Sequence, residues 1–223
     1  MQPVIPISLT KDWNLISRTI LPVISQHNAV GAPIEAGGEE LEVIPSRSRA
    51  AVDVNQEGLG DTVQSLFFSP VKPGPGGIIW GLGPVFLLPT ATEDLLGAGK
   101  WGAGPTAVLL KQTGGWTYGI LANHIWSIAG NEQRAYINST FLQPFLSYTT
   151  ATKTTFGVNT ESTYDWRAGQ WLVPINFSIS QLFKIGKLPP MSLQIGARYY
   201  AVGPSTSPNW GLRAVLTLLF PTK

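Results

Sequence analysis

The strongest constraint in this chain is strict period-two alternation over its last third. Trp210, Leu212, Ala214, Leu216, Leu218 and Phe220 alternate with Gly211, Arg213, Val215, Thr217 and Leu219. On a β-strand such a pattern sends the first set to one face and the second to the other. The segment before it repeats the arrangement: Met191, Leu193, Ile195, Ala197 and Tyr199 oppose Ser192, Gln194, Gly196, Arg198 and Tyr200. Further upstream Val173, Ile175, Phe177 and Ile179 oppose Leu172, Pro174, Asn176, Ser178 and Ser180. Phe156, Val158, Tyr164 and Trp166 oppose Gly157, Asn159, Glu161, Thr163 and Asp165, with Thr160 and Ser162 weakening the apolar row. Consecutive strands that each carry one apolar and one polar face can be satisfied by a closed antiparallel barrel.

Composition fits that reading. Charged residues make up only 13% of the 223 and hydrophobic residues 43%, so charge is scarce without a matching gain in apolar content. No run approaches the ~20 apolar residues that a membrane helix needs; the stretch Val85 to Leu88 is typical, short and bounded by proline. Eighteen prolines and 24 glycines are spread among residues of high β-propensity, which argues against extensive helix. With no cysteine, thiolate metal sites and disulfides are excluded. A net charge of +2 without a basic run gives no reason to expect a nucleic-acid partner.

The pattern persists with more noise toward the N-terminus. Trp13, Leu15, Leu21 and Val23 oppose Asn14 and Arg18; Trp80, Leu82, Phe86 and Leu88 oppose Gly81 and Gly83; Ala103, Ala107 and Leu109 oppose Gly102, Gly104 and Thr106. Tyr118, Ile120, Ala122 and Trp126 oppose Gly119, Asn123 and Ser127, and Leu142 and Leu146 oppose Ser139, Gln143 and Ser147. Around residues 60–69 the adjacent polar pair Gln64 and Ser65 blurs the faces. The sequence thus predicts eleven strands in one domain, at about residues 2–10, 13–25, 59–70, 78–90, 101–112, 116–128, 135–150, 154–166, 170–185, 190–202 and 209–220. Short links alternate with generally longer or more polar ones, the longest being a charged loop at 26–58. That alternation is expected of short periplasmic turns and long outer loops. No signal peptide is visible before the extended stretch 2–9, and single-chain barrels normally have even strand numbers. The expectation is therefore a mature chain from a twelve-stranded parent, with a first strand preceding this sequence.

All eight tryptophans, Trp13, Trp80, Trp101, Trp116, Trp126, Trp166, Trp171 and Trp210, fall at or near predicted strand ends. An aromatic girdle at the headgroup boundary is the expected consequence. Charges on strands must avoid lipid. Arg18, Asp61, Asn159, Glu161, Asp165, Asn176, Gln194, Arg198 and Arg213 are accordingly the candidates for lining the lumen and setting selectivity. The competing reading makes them ion pairs, such as Glu161 with Arg198, that fill a narrow interior.

Several stretches resemble one family. QPVIPISL (2–9), DWNLISRTILPVI (12–24), GLGDTVQSLFFSP (58–70), WGLGPVFLLPTAT (80–92), GKWGAGPTAVLLKQ (99–112), ANHIWS (122–127), FLQPFLSYTT (141–150), NTESTYDW (159–166) and PINFSIS (174–180) are similar to the outer-membrane transporters of the meta-pathway of phenol degradation family, some members of which are labelled neuromedin U. The resemblance implies an outer-membrane β-barrel that transports small organic or aromatic compounds, and it carries no catalytic residues. The 26–58 loop departs from the pattern by its length.

Neither catalysis nor a cofactor is expected. His124 beside Asn123 lacks the partners of a hydrolase, and no GxSxG nucleophile motif is present. The GLG and GAG runs at 81–83 and 102–104 lie within strands, where close packing or bending explains them better than a phosphate loop. The expected function is an outer-membrane channel for small organic molecules, with lipid and a small solute as its partners. The alternatives are a filled, non-conducting structural or adhesion barrel and a soluble lipid-binding barrel.

Overall fold

The computed structural model describes residues 2–26, 41–43, 56–94, 96–186, 188–204 and 209–220. The chain forms an antiparallel meander: β1 (Val4–Ser8), β2 (Trp13–Ile20), β6 (Thr62–Pro70), β7 (Ile78–Leu88), β8 (Lys100–Thr113), β9 (Trp116–Gly130), β10 (Asn138–Thr149), β11 (Thr154–Thr160), β13 (Gln170–Phe183), β14 (Met191–Val202) and β15 (Trp210–Leu218). Beside it lie β3 (Val23–Gln26), β4 (Leu41–Val43), β5 (Gln56–Leu59) and β12 (Ser162–Asp165).

β11 and β12 pair with β10 in a single register, Phe145↔Asn159 continuing to Leu142↔Ser162. They are one strand interrupted at Glu161. Pro174 of β13 falls opposite that residue on the shared register with β13, and a proline has no N–H for the ladder. The hydroxyls of Thr160 and Ser162 bond to each other at 2.8 Å across the interruption, so the polar pair that weakens the apolar row satisfies itself.

Counted this way, the meander contains the eleven predicted strands. Two features were not predicted. The residues flanking the 26–58 loop form a separate two-stranded ladder, β3 with β5, Val23↔Leu59 through Gln26↔Gln56; Pro22 lies between β2 and β3, so the expected 13–25 strand divides. β4, from the middle of that loop, pairs with the outer edge of β15, Leu212↔Val43 to Ala214↔Leu41. The remainder of the loop, with Glu35, Glu39, Glu40, Arg47, Arg49 and Asp53, lies outside the described residues.

Turn chemistry matches the links. Gly114 and Gly115 join β8 to β9 with φ of 56° and 86°, the double positive φ of a two-residue hairpin whose twist matches its strands. The runs Gly83-Pro84 and Gly104-Pro105 create a crease. Pro84 faces Pro105 across β7 and β8, and the ladders on either side skip this height, running from Ser65↔Val85 to Phe68↔Leu82 and from Ala103↔Trp126 to Thr106↔Asn123. The Leu66 carbonyl takes the space a Cβ on Gly83 would need, and the His124 carbonyl does the same at Gly104. The glycines therefore allow the bend predicted for them.

The sheet curls to enclose one row of side chains. Ile20 (β2), Val63 (β6), Val85 and Leu87 (β7) and Ile125 (β9) form one buried cluster, and Phe67, Leu121 and Phe141 a second. Leu87 and Ile125 meet over β8 because Gly102 lies between them; a Cβ there would press on both. The opposite row, including Phe177, Ile195, Leu212 and Leu216, is 53–60% exposed, as an outward surface of a barrel in lipid requires.

Candidate functional site

The enclosed face has two walls of opposite character. From β2 to β10 the two apolar clusters above stand among buried Ser65, Ser69, Lys100 and Thr106, with Arg18 and Gln143 on the polar side. From β11 to β15 the face is polar and built around Glu161.

Glu161 sits at the interruption between β11 and β12, in the same inward row as Asn159. Arg198 of β14 and Arg213 of β15 both reach it. The Arg198 guanidinium donates to Oε2, and Arg213 Nη1 donates to Oε1 and Oε2 at 3.1 Å each. The three side chains are only 8%, 2% and 9% exposed, respectively. Gln143 Nε2 lies 3.4 Å from Oε1. Arg198 Nε also donates to Asn176 Oδ1 at 2.7 Å, and Asn176 Nδ2 donates to Asn159 Oδ1 at 2.7 Å. The Arg198 guanidinium lies 5.9 Å from the Tyr200 ring centroid. The result is a continuous hydrogen-bonded network across β10, β11, β13, β14 and β15. Charges removed from water are tolerated only when paired and bonded in this way.

Beside the network is a cavity of about 210 Å³ bounded by Gln2, Arg18, Asn159, Glu161, Gln194 and Arg213 among others. Residues from both ends of the chain share this space, which only a curled sheet allows.

Of the predicted lumen residues, Arg18, Asn159, Glu161, Asn176, Gln194 and Arg213 border the cavity, and Arg198 joins through Glu161. Asp61 and Asp165 lie elsewhere. Asp61, 4% exposed, accepts from the Ala91 amide at 3.1 Å and the Ala98 amide at 2.6 Å, tying down the link between β7 and β8. Asp165 accepts from the Arg167 and Ala168 amides in the turn after β12. Each caps a loop, the ordinary local use of a carboxylate beside unpaired N–H groups.

The apolar part of the interior does not follow from the alternation of the sequence. Its signal is alternation that fails because both rows are apolar: Leu121 and Ile125 lie in the row of Asn123, and Val85 and Leu87 in the row of Gly81 and Gly83. Gln64, the ambiguous residue of β6, faces outward, where its amide bonds to Thr19 Oγ1 at 2.6 Å and Ser17 Oγ at 3.0 Å. Ser65 faces inward and is buried.

The tryptophans divide between the two ends of the barrel. Trp13, Trp80 and Trp116 stand at the short-turn end, with Trp13 edge-on to Trp80 at 5.9 Å. Trp101, Trp126, Trp166, Trp171 and Trp210 stand at the long-link end. All except Trp80 are 39–57% exposed.

No protein-family model matches the chain, and no curated protein matches its sequence. Among solved structures, the fold is similar to that of the COG4313 outer membrane channel from Pseudomonas putida F1. The TM-score is 0.62 with 17% sequence identity, over 97% of this chain and 81% of that one. The architecture described here is therefore the all-β antiparallel barrel seen in that outer-membrane channel.

Proposed function

We propose that this chain is an outer-membrane channel that passes small organic molecules of hydrophobic or aromatic character. The observation that carries the reading is the divided interior: an apolar wall of Ile20, Val85, Leu87, Phe67 and Phe141 faces a polar wall organised on Glu161, Arg198 and Arg213. A planar apolar solute with one polar group finds a matching surface on each side. The exposed apolar outer row, with tryptophans at both ends, supports placement in a bilayer, and the long-link end is its extracellular side in this reading. The likeness to an outer-membrane channel supports the same conclusion.

Uptake into liposomes tests it. Proteoliposomes admit small aromatics faster than sugars of equal size, and single openings appear in planar bilayers. Equal uptake of both solutes removes the proposed selectivity.

A second reading, a filled and non-conducting barrel, draws on the same interior. The two apolar clusters and the ion-paired network both lie on the enclosed face. Absence of conductance in planar bilayers, with the protein correctly folded, selects this alternative.

A further inference from the structure

Among the described residues, two buried side-chain polar atoms have no hydrogen-bond partner: His124 Nε2 and Asn138 Oδ1. They belong to one patch. In the β9–β10 register His124 faces Thr140 and Trp126 faces Asn138, so His124 and Asn138 lie diagonally on one face, in the outward row. The patch is at the long-link end of the barrel. His124 Nδ1 lies 2.7 Å from Thr140 Oγ1, and Trp166 Nε1 donates to the same oxygen at 2.8 Å. The Trp126 ring lies 4.1 Å from the His124 ring between centroids, tilted 49° to it. Trp126 and Trp166 are 48% and 57% exposed.

We propose that this patch binds the sugar headgroup of a glycolipid in the outer leaflet. The inference rests on the outer-membrane placement proposed above. Unpaired buried polar atoms are costly and call for an explanation, and two in one place define a donor and acceptor pattern. If Thr140 donates to Nδ1, then Nε2 carries the proton and a single ligand hydroxyl can accept from it while donating to Asn138 Oδ1. In the other tautomer both atoms accept, and two neighbouring hydroxyls satisfy them. A sugar offers both arrangements. Its ring also presents an apolar face, which the indoles of Trp126 and Trp166 can cover. Trp126, whose ring lies against the imidazole, is half exposed and free to move aside for a ligand. Arg167, exposed and next to Trp166 in sequence, lies near the Tyr136 ring and leaves the rim of the patch cationic.

The test uses the full chain in phosphatidylcholine nanodiscs doped with lipid A, dephosphorylated lipid A or phosphatidylethanolamine. Native mass spectrometry counts the retained lipid. The protein retains both lipid A forms and not phosphatidylethanolamine, and retention falls at least about tenfold in H124L/N138L. That variant removes both unsatisfied atoms along with the His124–Thr140 bond, while Thr140 Oγ1 keeps its bond from Trp166 Nε1; heat-modifiable gel mobility checks that it folds. W126A, at an exposed position, gives a second reading and also lowers retention. Unchanged retention in either variant overturns the proposal. So does equal retention of phosphatidylethanolamine, or retention of the phosphorylated form alone, which would make phosphate the determinant. Conductance of the same preparation separates the two readings. A conducting protein without glycolipid preference defeats this inference only, and a non-conducting one that retains lipid A defeats the channel reading only.

Discussion

Glu161 is the single residue on which the polar wall depends, and Glu161→Gln isolates its charge. The substitution keeps the volume and one acceptor oxygen, but leaves Arg198 and Arg213, both at least nine-tenths buried at the side chain, converging on a neutral amide. Removing one partner of a buried ion pair costs about 3–5 kcal/mol, because the remaining charge stays desolvated. Here two guanidinium groups also lose the anion that separates them, so the upper part of that range applies. An equilibrium constant therefore changes by more than about two orders of magnitude. Equilibrium urea unfolding in phospholipid vesicles, followed by tryptophan fluorescence and by mobility on unheated gels, measures the change. The companion variant E161L/R198M/R213M replaces all three charges with apolar side chains of similar size and recovers most of the loss, since well-packed apolar groups commonly match a buried ion cluster. The reasoning is refuted if Glu161→Gln stays within about 1 kcal/mol of the wild type, or if the triple variant is as unstable as the single one.

Three further outcomes follow from the geometry. Ile195→Arg, on the exposed row, destabilises the protein in vesicles by about 2–4 kcal/mol, whereas Gln194→Arg, on the cavity side, costs much less; equal costs would contradict a lipid-facing row, as read from unfolding midpoints. Gly104→Ala drives a methyl group into the His124 carbonyl and costs at least about 2 kcal/mol. Gly169→Ala has open space but a φ of 62°, and costs about 1–2 kcal/mol; the ranking is checked by the same unfolding measurement. Asp61→Ala frees the Ala91 and Ala98 amides at a cost of about 1.5–3 kcal/mol, seen as faster hydrogen exchange at those two amides and earlier protease cleavage between residues 89 and 99.

The strands were readable because an exposed apolar outer face and an enclosed interior impose different demands on alternate residues. Where both demands are met in full, as in 191–202 and 210–218, faces and register follow from the pattern alone. Residues 121 and 125 illustrate the failure: an inward leucine or isoleucine packed on another strand looks the same as an outward one facing lipid. Pairing of Glu161 with Arg198 was among the expected arrangements, since two opposite charges on neighbouring inward rows have few other partners. The participation of Arg213 in the same carboxylate depends on β15 curling past β14, a long-range fact that no local spacing encodes. Asp61 and Asp165 were misplaced for the opposite reason. Alternation assigns a face to every residue of a strand, but at a strand end the nearest unpaired amides decide where a carboxylate points. The pairing of β3 with β5 and of β4 with β15 is also long-range, set by where a loop can return rather than by its own sequence.

The crease at Pro84 and Pro105 bears on the mechanics of the wall. Elsewhere, bending a strand along its length strains the backbone bonds to both of its neighbours. Along this line the ladders to β6 and β9 are already interrupted, and a proline ring on each of β7 and β8 prevents them from being completed. Both ladders resume in the same register beyond this height, so it is where β7 and β8 can bend along their own length with fewer backbone bonds to strain than at the heights above and below.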